Sequence, residues 1–315
     1  MKKISKIVIA VLLVTIMFSL SACGEDAVFK GNYKEATDED LANLSTKLSE
    51  TTVMEPEEGA ESAGAEISAN LSISAKQGSD SMSISLKASS KLSVSKEGEA
   101  SMSGNVDLTA KNSGVFENDG TDVFSEVSAK GNVYMDSENI YYDGSVTKDK
   151  EDLINGKNKI SLSMLGMIAG ATGGSIDSII PDIEVGGEAP SVEEIKALLA
   201  EYGITLYVDS SDGFKVKASV SEEYLKTAFS GMMGTTESEA GLTVEVKNFD
   251  LYLVIDKDGK MAGVKADVNF TVKATVDGET VELNIDGDVS FKVADVTVTL
   301  PEDLNDYKDY NPVAA

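Results

Sequence analysis

The chain of 315 residues contains no histidine, no tryptophan and no arginine, and it has a single cysteine, Cys23. Without histidine, neither a Ser-His-Asp nor a Cys-His nucleophile system can be assembled, nor a zinc site with the usual nitrogen and sulfur ligands. Without arginine there is no planar fork to hold phosphates bidentately, and a net charge of -27 repels a polyphosphate backbone, so nucleic acid is not an expected partner. One cysteine excludes an intrachain disulfide, and stability must come from the core. Carboxylates are so numerous, 54 in all, that some pair will stand at the separation a histidine-free glycosidase needs. That abundance makes any one pair uninformative, and no tryptophan is present to stack on a sugar. The chain reads as a non-enzyme without a cofactor.

What is present begins with a leader. The basic start "MKKISK" is followed by the uncharged run "IVIAVLLVTIMFSL", shorter than the roughly 20 residues of a membrane-spanning helix and suited to a secretory signal peptide. Small residues then precede the cysteine: Leu20, Ser21, Ala22, Cys23. This arrangement resembles the lipobox of bacterial lipoproteins. The resemblance implies a diacylglyceryl group on the Cys23 thiol, removal of residues 1–22, and attachment to the outer face of the bacterial cytoplasmic membrane. An uncleaved N-terminal helix and an ordinary buried thiol are the alternatives. Two acyl chains on one residue give stable attachment where a single chain is marginal. Loss of Lys2, Lys3 and Lys6 with the leader leaves 24 lysines against 54 acids, a net of -30 that keeps the surface soluble.

Residues 23–36 crowd charge and glycine and read as a lipidated tether. Leu41, Leu44 and Leu48 then fall at helical spacing behind Thr37 or Asp38 as cap. From Glu66 the period changes to two. Ile67, Ala69, Leu71, Ile73 and Ala75 alternate with polar residues, and "SMSISLKASSKLSVSK" and "ASMSGNVDLTA" repeat the pattern with an unusual density of serine. Asp-Gly and Glu-Asn pairs, including "NIYYDG", read as turns.

Between about residues 145 and 203 the strand pattern stops in favour of a Met-, Ile- and Gly-rich helical insert. Ser191 and Glu194 there stand in capping-box spacing ahead of an apolar helix face. Strands resume at "GITLYVDS", with a helix at "SEEYLKTAFSGMM" and hairpin turns at Asp258-Gly259 and Asp277-Gly278. Residues 37–304 thus form one mainly β domain, a large curved antiparallel sheet or half-barrel of about eleven one-sided strands with helices over its concave face, and 305–315 a polar tail. No fixed repeat period supports a solenoid.

The lipobox, the amphipathic N-terminal helix, the long meander, the insert and the closing "VTVTLPEDLNDY" together resemble the LolA/LppX-type lipoprotein carriers and related Gram-positive lipoproteins. That resemblance implies a half-barrel closed by helices around an apolar cavity for acyl chains. The insert would line it through Met164, Leu165, Met167, Ile168, Ile176, Ile179 and Ile180, since unbranched methionine adapts to variable apolar ligands. A helix that merely covers the sheet needs the same residues. The expected partners are the membrane, through Cys23, and a lipid or amphiphile. A structural or adhesive lipoprotein without a ligand cavity is the alternative. The acidic pairs Asp256/Asp258 and Asp286/Asp288 lack the glycine and late glutamate of an EF-hand loop and read as hairpin chemistry, with no metal.

Overall fold

The computed structural model describes residues 27–51, 56, 60–114, 124–163, 191–233, 241–276 and 279–310. They build a single curved sheet of 13 strands with three helices on its apolar, concave side. The strands are β1 (Lys34–Glu35), β2 (Ser62–Gln77), β3 (Asp80–Ser95), β4 (Ala100–Ser113), β5 (Glu126–Met135), β6 (Asn139–Lys148), β7 (Glu151–Ser161), β8 (Ile204–Asp209), β9 (Phe214–Val220), β10 (Thr243–Ile255), β11 (Met261–Val276), β12 (Glu279–Val293) and β13 (Lys308–Asp309). β2–β12 supply the eleven or so strands expected; β1 and β13 are two-residue additions at the two edges.

The spatial order is β1-β8-β9-β10-β11-β12-β2-β3-β4-β5-β6-β7-β13. Two meanders are therefore joined where β12 pairs antiparallel with β2, from Val281 opposite Gln77 to Val293 opposite Ala65. Every pairing is antiparallel except the short one of β13 with β7. Because side chains alternate across a strand, the register places one apolar row beside the next and gives the whole sheet one apolar and one polar face.

Helix α1 (Asp38–Glu50) is capped by Thr37, whose hydroxyl accepts from the Asp40 amide while Asp40 accepts from the Thr37 amide. The same reciprocal box opens α2 (Val192–Glu201) at Ser191 and Glu194, and it satisfies backbone donors that a helix start would otherwise leave free. Both helices join a cluster of Leu41, Leu44, Ile195, Val208, Phe214 and the fully buried Ile255. Helix α3 (Glu222–Met233) lays Leu225 and Phe229 on a second cluster built from β2, β10, β11 and β12. Among the described residues no helix is long and apolar enough to cross a membrane.

Four sequence expectations are corrected. The strand pattern does not stop near 145: β6 continues to Lys148, and β7 follows after a two-residue turn. That turn carries Asp149 and Lys150 at φ of 52° and 74° rather than glycine, and a bulge after Val146 interrupts the alternation, so neither turn nor strand shows the usual pattern. The Asp149 carboxylate compensates by accepting from the Ser125 and Glu126 amides at 2.7 and 2.8 Å. Residues 27–36 are not a free tether, because Phe29 is buried, its ring and that of Tyr33 stand edge-on to Tyr252, and Asp209 accepts from the Asn32 amide at 2.7 Å. Nor is 305–310 a loose tail: Tyr307 is buried edge-on against Tyr141, and β13 pairs with β7. Finally, Asp143-Gly144 and Asp286-Gly287 lie inside β6 and β12 rather than at turns. There glycine serves close approach of strands, as a Cβ at Gly287 would sit 2.3 Å from the Asn70 carbonyl oxygen.

Candidate functional site

The two apolar clusters account for β2 and β8–β12 but contain no residue of β4–β7. Those four strands nevertheless carry the same one-sided pattern. Leu86, Leu108, Ala129, Val146 and Ile154 stand directly opposite one another on five neighbouring strands, and a second row runs Leu92, Met102, Met135, Ile140 and Ile160. Every one of these side chains is only half-buried. Between the two rows the register places Val106, Gly131, Gly144 and Gly156 in one line, the three glycines facing each other across β5, β6 and β7, and Gly104, Val133, Tyr142 and Asn158 in the next. The two rows and the residues between them make a half-buried apolar band, or trough, across β3–β7.

The glycines explain the trough's shape. A Cβ at Gly131 would lie 2.7 Å from the Gly144 Cα, and one at Gly144 would lie 2.3 Å from the Lys130 carbonyl oxygen. Only bare backbone permits that approach. The Tyr142 ring occupies space over this backbone: its oxygen is 2.9 Å from where a Gly144 Cβ would be, and its hydroxyl donates to the Ser145 carbonyl at 2.8 Å. Burial pushes the Tyr142 hydroxyl above its ordinary pKa, so it stays a neutral donor. Near the sheet edge the trough deepens into a groove of about 160 Å³ lined by Ile140, Tyr142, Val146, Ile154, Ile160 and Tyr310, among others.

The residues selected from sequence fall differently. Cys23, Met164, Leu165, Met167, Ile168, Ile176, Ile179 and Ile180 lie outside the described residues. The described chain stops at Ser163, just past β7, and resumes at Ser191, before α2. Sequence reasoning missed the β4–β7 face, although the parity of Met102, Val106, Leu108 and Val133 was visible. All strands look alike in that respect; which of them the helices cover depends on pairing order.

The acidic residues serve the fold. Asp256 accepts from the Asp258 and Lys260 amides at 2.8 and 2.9 Å, closing the β10–β11 hairpin. On the polar face Asp250, Asp267 and Asp288 stand opposite one another on β10, β11 and β12, a juxtaposition that costs free energy unless neutralised. Lys217 approaches Asp250 at 2.8 Å, and Lys265 lies 3.3 Å from Asp267 and 4.0 Å from Asp288. Asp288 keeps a raised pKa, chiefly through desolvation. Among the described residues no group of three or more His, Cys, Asp or Glu side chains has the arrangement a metal ion needs.

No protein-family model and no curated protein matches the sequence. Among solved structures the chain is similar to a beta-barrel-like protein of a domain of unknown function, DUF1849, from Brucella abortus, with 8% identity over 74% of this chain and 98% of that one and a TM-score of 0.21. So weak a likeness carries no functional inference.

Proposed function

We propose that the protein is a lipid-anchored extracytoplasmic lipoprotein, held through Cys23 at the outer face of the bacterial cytoplasmic membrane, and that the part of its apolar sheet face lying outside both clusters of described residues takes up an apolar or amphiphilic ligand such as a lipid. The observation that supports ligand binding is the half-buried state of the apolar rows on β4–β7, outside both apolar clusters. With Leu86 and Leu92 of β3 included, the rows cross five strands, which at about 4.8 Å spacing gives a length of about 19 Å and suits an extended acyl chain. Each methylene moved from water onto such a surface contributes up to about 0.8 kcal/mol. The reading is of a non-catalytic binding protein.

A structural or adhesive lipoprotein is the second reading. It is favoured by the 160 Å³ of the edge groove, which holds only the end of an acyl chain, whereas small-molecule cavities run to several hundred cubic ångströms. Placing a charge in the trough separates the two. Leu108→Lys is expected to weaken binding of a fluorescent fatty acid about tenfold or more, while Ser83→Lys on the polar face leaves it unchanged. Equal binding by both variants removes the trough from the account.

Anchoring is tested apart from that. Cys23→Ser is expected to abolish labelled-palmitate incorporation and to move the protein from the membrane fraction to the soluble one. A variant that still sediments with membranes, beside a wild type that takes up no palmitate, contradicts the lipobox reading.

A further inference from the structure

Apart from Ser90, which shares the parity of Leu86 and Leu92, the serines of β2, β3 and β4 point to the face of the sheet opposite the apolar trough. That polar face is crossed by the chain between β12 and β13. At one end of the crossing the Ala294 amide donates to the Gly64 carbonyl at 3.0 Å, and a Cβ at Gly64 would lie 2.5 Å from the Val296 side chain. At the other end Asp303 pairs with Lys157, the Tyr307 ring stands 5.3 Å from Tyr141, and the Tyr310 amide donates to the Lys159 carbonyl at 2.8 Å. The segment is thus a strap fixed at β2 and again at β6–β7. Between these points, beside Thr299, a groove of about 460 Å³ opens between strap and sheet.

Short side chains, Ser68, Ser89 and Ser103, make up part of the groove's floor. Register sets Ser68 opposite Ser89 and Ser89 opposite Asn105, with Lys91 opposite Ser103 in the neighbouring row and Ser103 opposite Tyr134. Serine is not among the residues enriched in strands. Its repetition here leaves room under the strap and lines that room with hydroxyls that both donate and accept.

We propose that this groove binds a neutral saccharide. Its volume falls within the range of small-molecule sites. Its polar groups match a polyol: serine hydroxyls, the Asn105 amide, which donates to the Ser89 hydroxyl at 2.9 Å, and the Lys91 ammonium, which has no ion partner among the described residues. Tyr134 supplies an aromatic surface with a polar tip, the stacking element that the absence of tryptophan otherwise denies the chain. Charge argues against an anion. The Glu66 carboxylate lines the same groove as Lys91, and the chain as a whole carries -27. The site lies on the face opposite the apolar trough and stands independently of any lipid binding there.

The test is titration of the full chain in detergent with neutral tetrasaccharides built from glucose, mannose and N-acetylglucosamine, alongside inorganic phosphate, read by calorimetry. Saturable one-to-one binding of at least one neutral tetrasaccharide is expected. Tyr134→Ala and Ser103→Lys, the latter filling the groove with a polar side chain that a solvated strand tolerates, are each expected to weaken it about tenfold, and Ser83→Lys to leave it unchanged. Binding of phosphate alone, binding of no tetrasaccharide at millimolar concentration, or equal affinity in Tyr134→Ala and Ser103→Lys variants whose circular dichroism matches wild type overturns the proposal.

Discussion

Phe270→Ala is expected to lower the free energy of unfolding by about 3–5 kcal/mol, the range for deleting a large buried aromatic. Phe270 is 6% exposed and stands on β11 between Val246 of β10 and Ile285 of β12. Its ring centroid is 5.9 Å from that of Phe229 on α3 and 5.9 Å from that of Phe249 on β10. One side chain therefore joins the helix to three strands of the covered half of the sheet. Its removal leaves a cavity that these neighbours cannot all collapse into, and the loss is a large share of the 5–15 kcal/mol typical of a whole domain. Urea denaturation followed by circular dichroism reads the change. Phe270→Leu, leaving a smaller cavity, is expected to cost less, and an unshifted midpoint for Phe270→Ala contradicts the packing described.

Gly144→Val is expected to cost about 3 kcal/mol, through overpacking rather than cavity formation. The added Cβ would lie 2.3 Å from the Lys130 carbonyl oxygen, 2.5 Å from the Gly131 Cα and 2.9 Å from the Tyr142 hydroxyl. Two of these contacts are backbone and have no rotamer to escape into. Relief requires β5 and β6 to separate and Tyr142 to swing off the sheet, which alters the trough as well as its stability. The thermal midpoint should fall by several degrees, and the Tyr142 environment should change in near-ultraviolet circular dichroism. Gly78→Val is the matched control, since it adds the same atoms in a turn where a Cβ would meet nothing within 4 Å, and its cost comes from its φ of +60° alone. Equal effects from both substitutions contradict the close approach of β5 and β6.

The architecture was legible where one rule governed one segment. Period-two alternation in "EISANLSISAK", the cap at Thr37 or Asp38 and the capping box at Ser191 depend on residues a few positions apart, and the structure forms the strand, caps the first helix with Thr37 and builds the box at Ser191. Legibility failed where a residue's role is set by a strand distant in sequence. Asp-Gly is the usual hairpin pair, yet at Gly144 and Gly287 the glycine answers to Gly131 and Asn70 across the sheet. Tyr33 and Tyr307 sit in segments whose composition suggests solvent, and each is held by a tyrosine from another part of the chain. The trough was hidden for the same reason. Its rows are assembled from β3 to β7, and their exposure depends on where α1, α2 and α3 dock. The serine pattern was plain in the sequence, but its meaning required the strap that crosses above it.

Native mass spectrometry of the protein produced without residues 1–22 is the decisive experiment for the proposal that the β4–β7 part of the apolar face holds an apolar or amphiphilic ligand. A bound mass in the range of a lipid or fatty acid is expected to co-purify with the wild type and to be lost in Leu108→Lys. Spectra showing only the bare polypeptide, from a wild-type protein that also takes up no fatty acid when it is supplied, would contradict it.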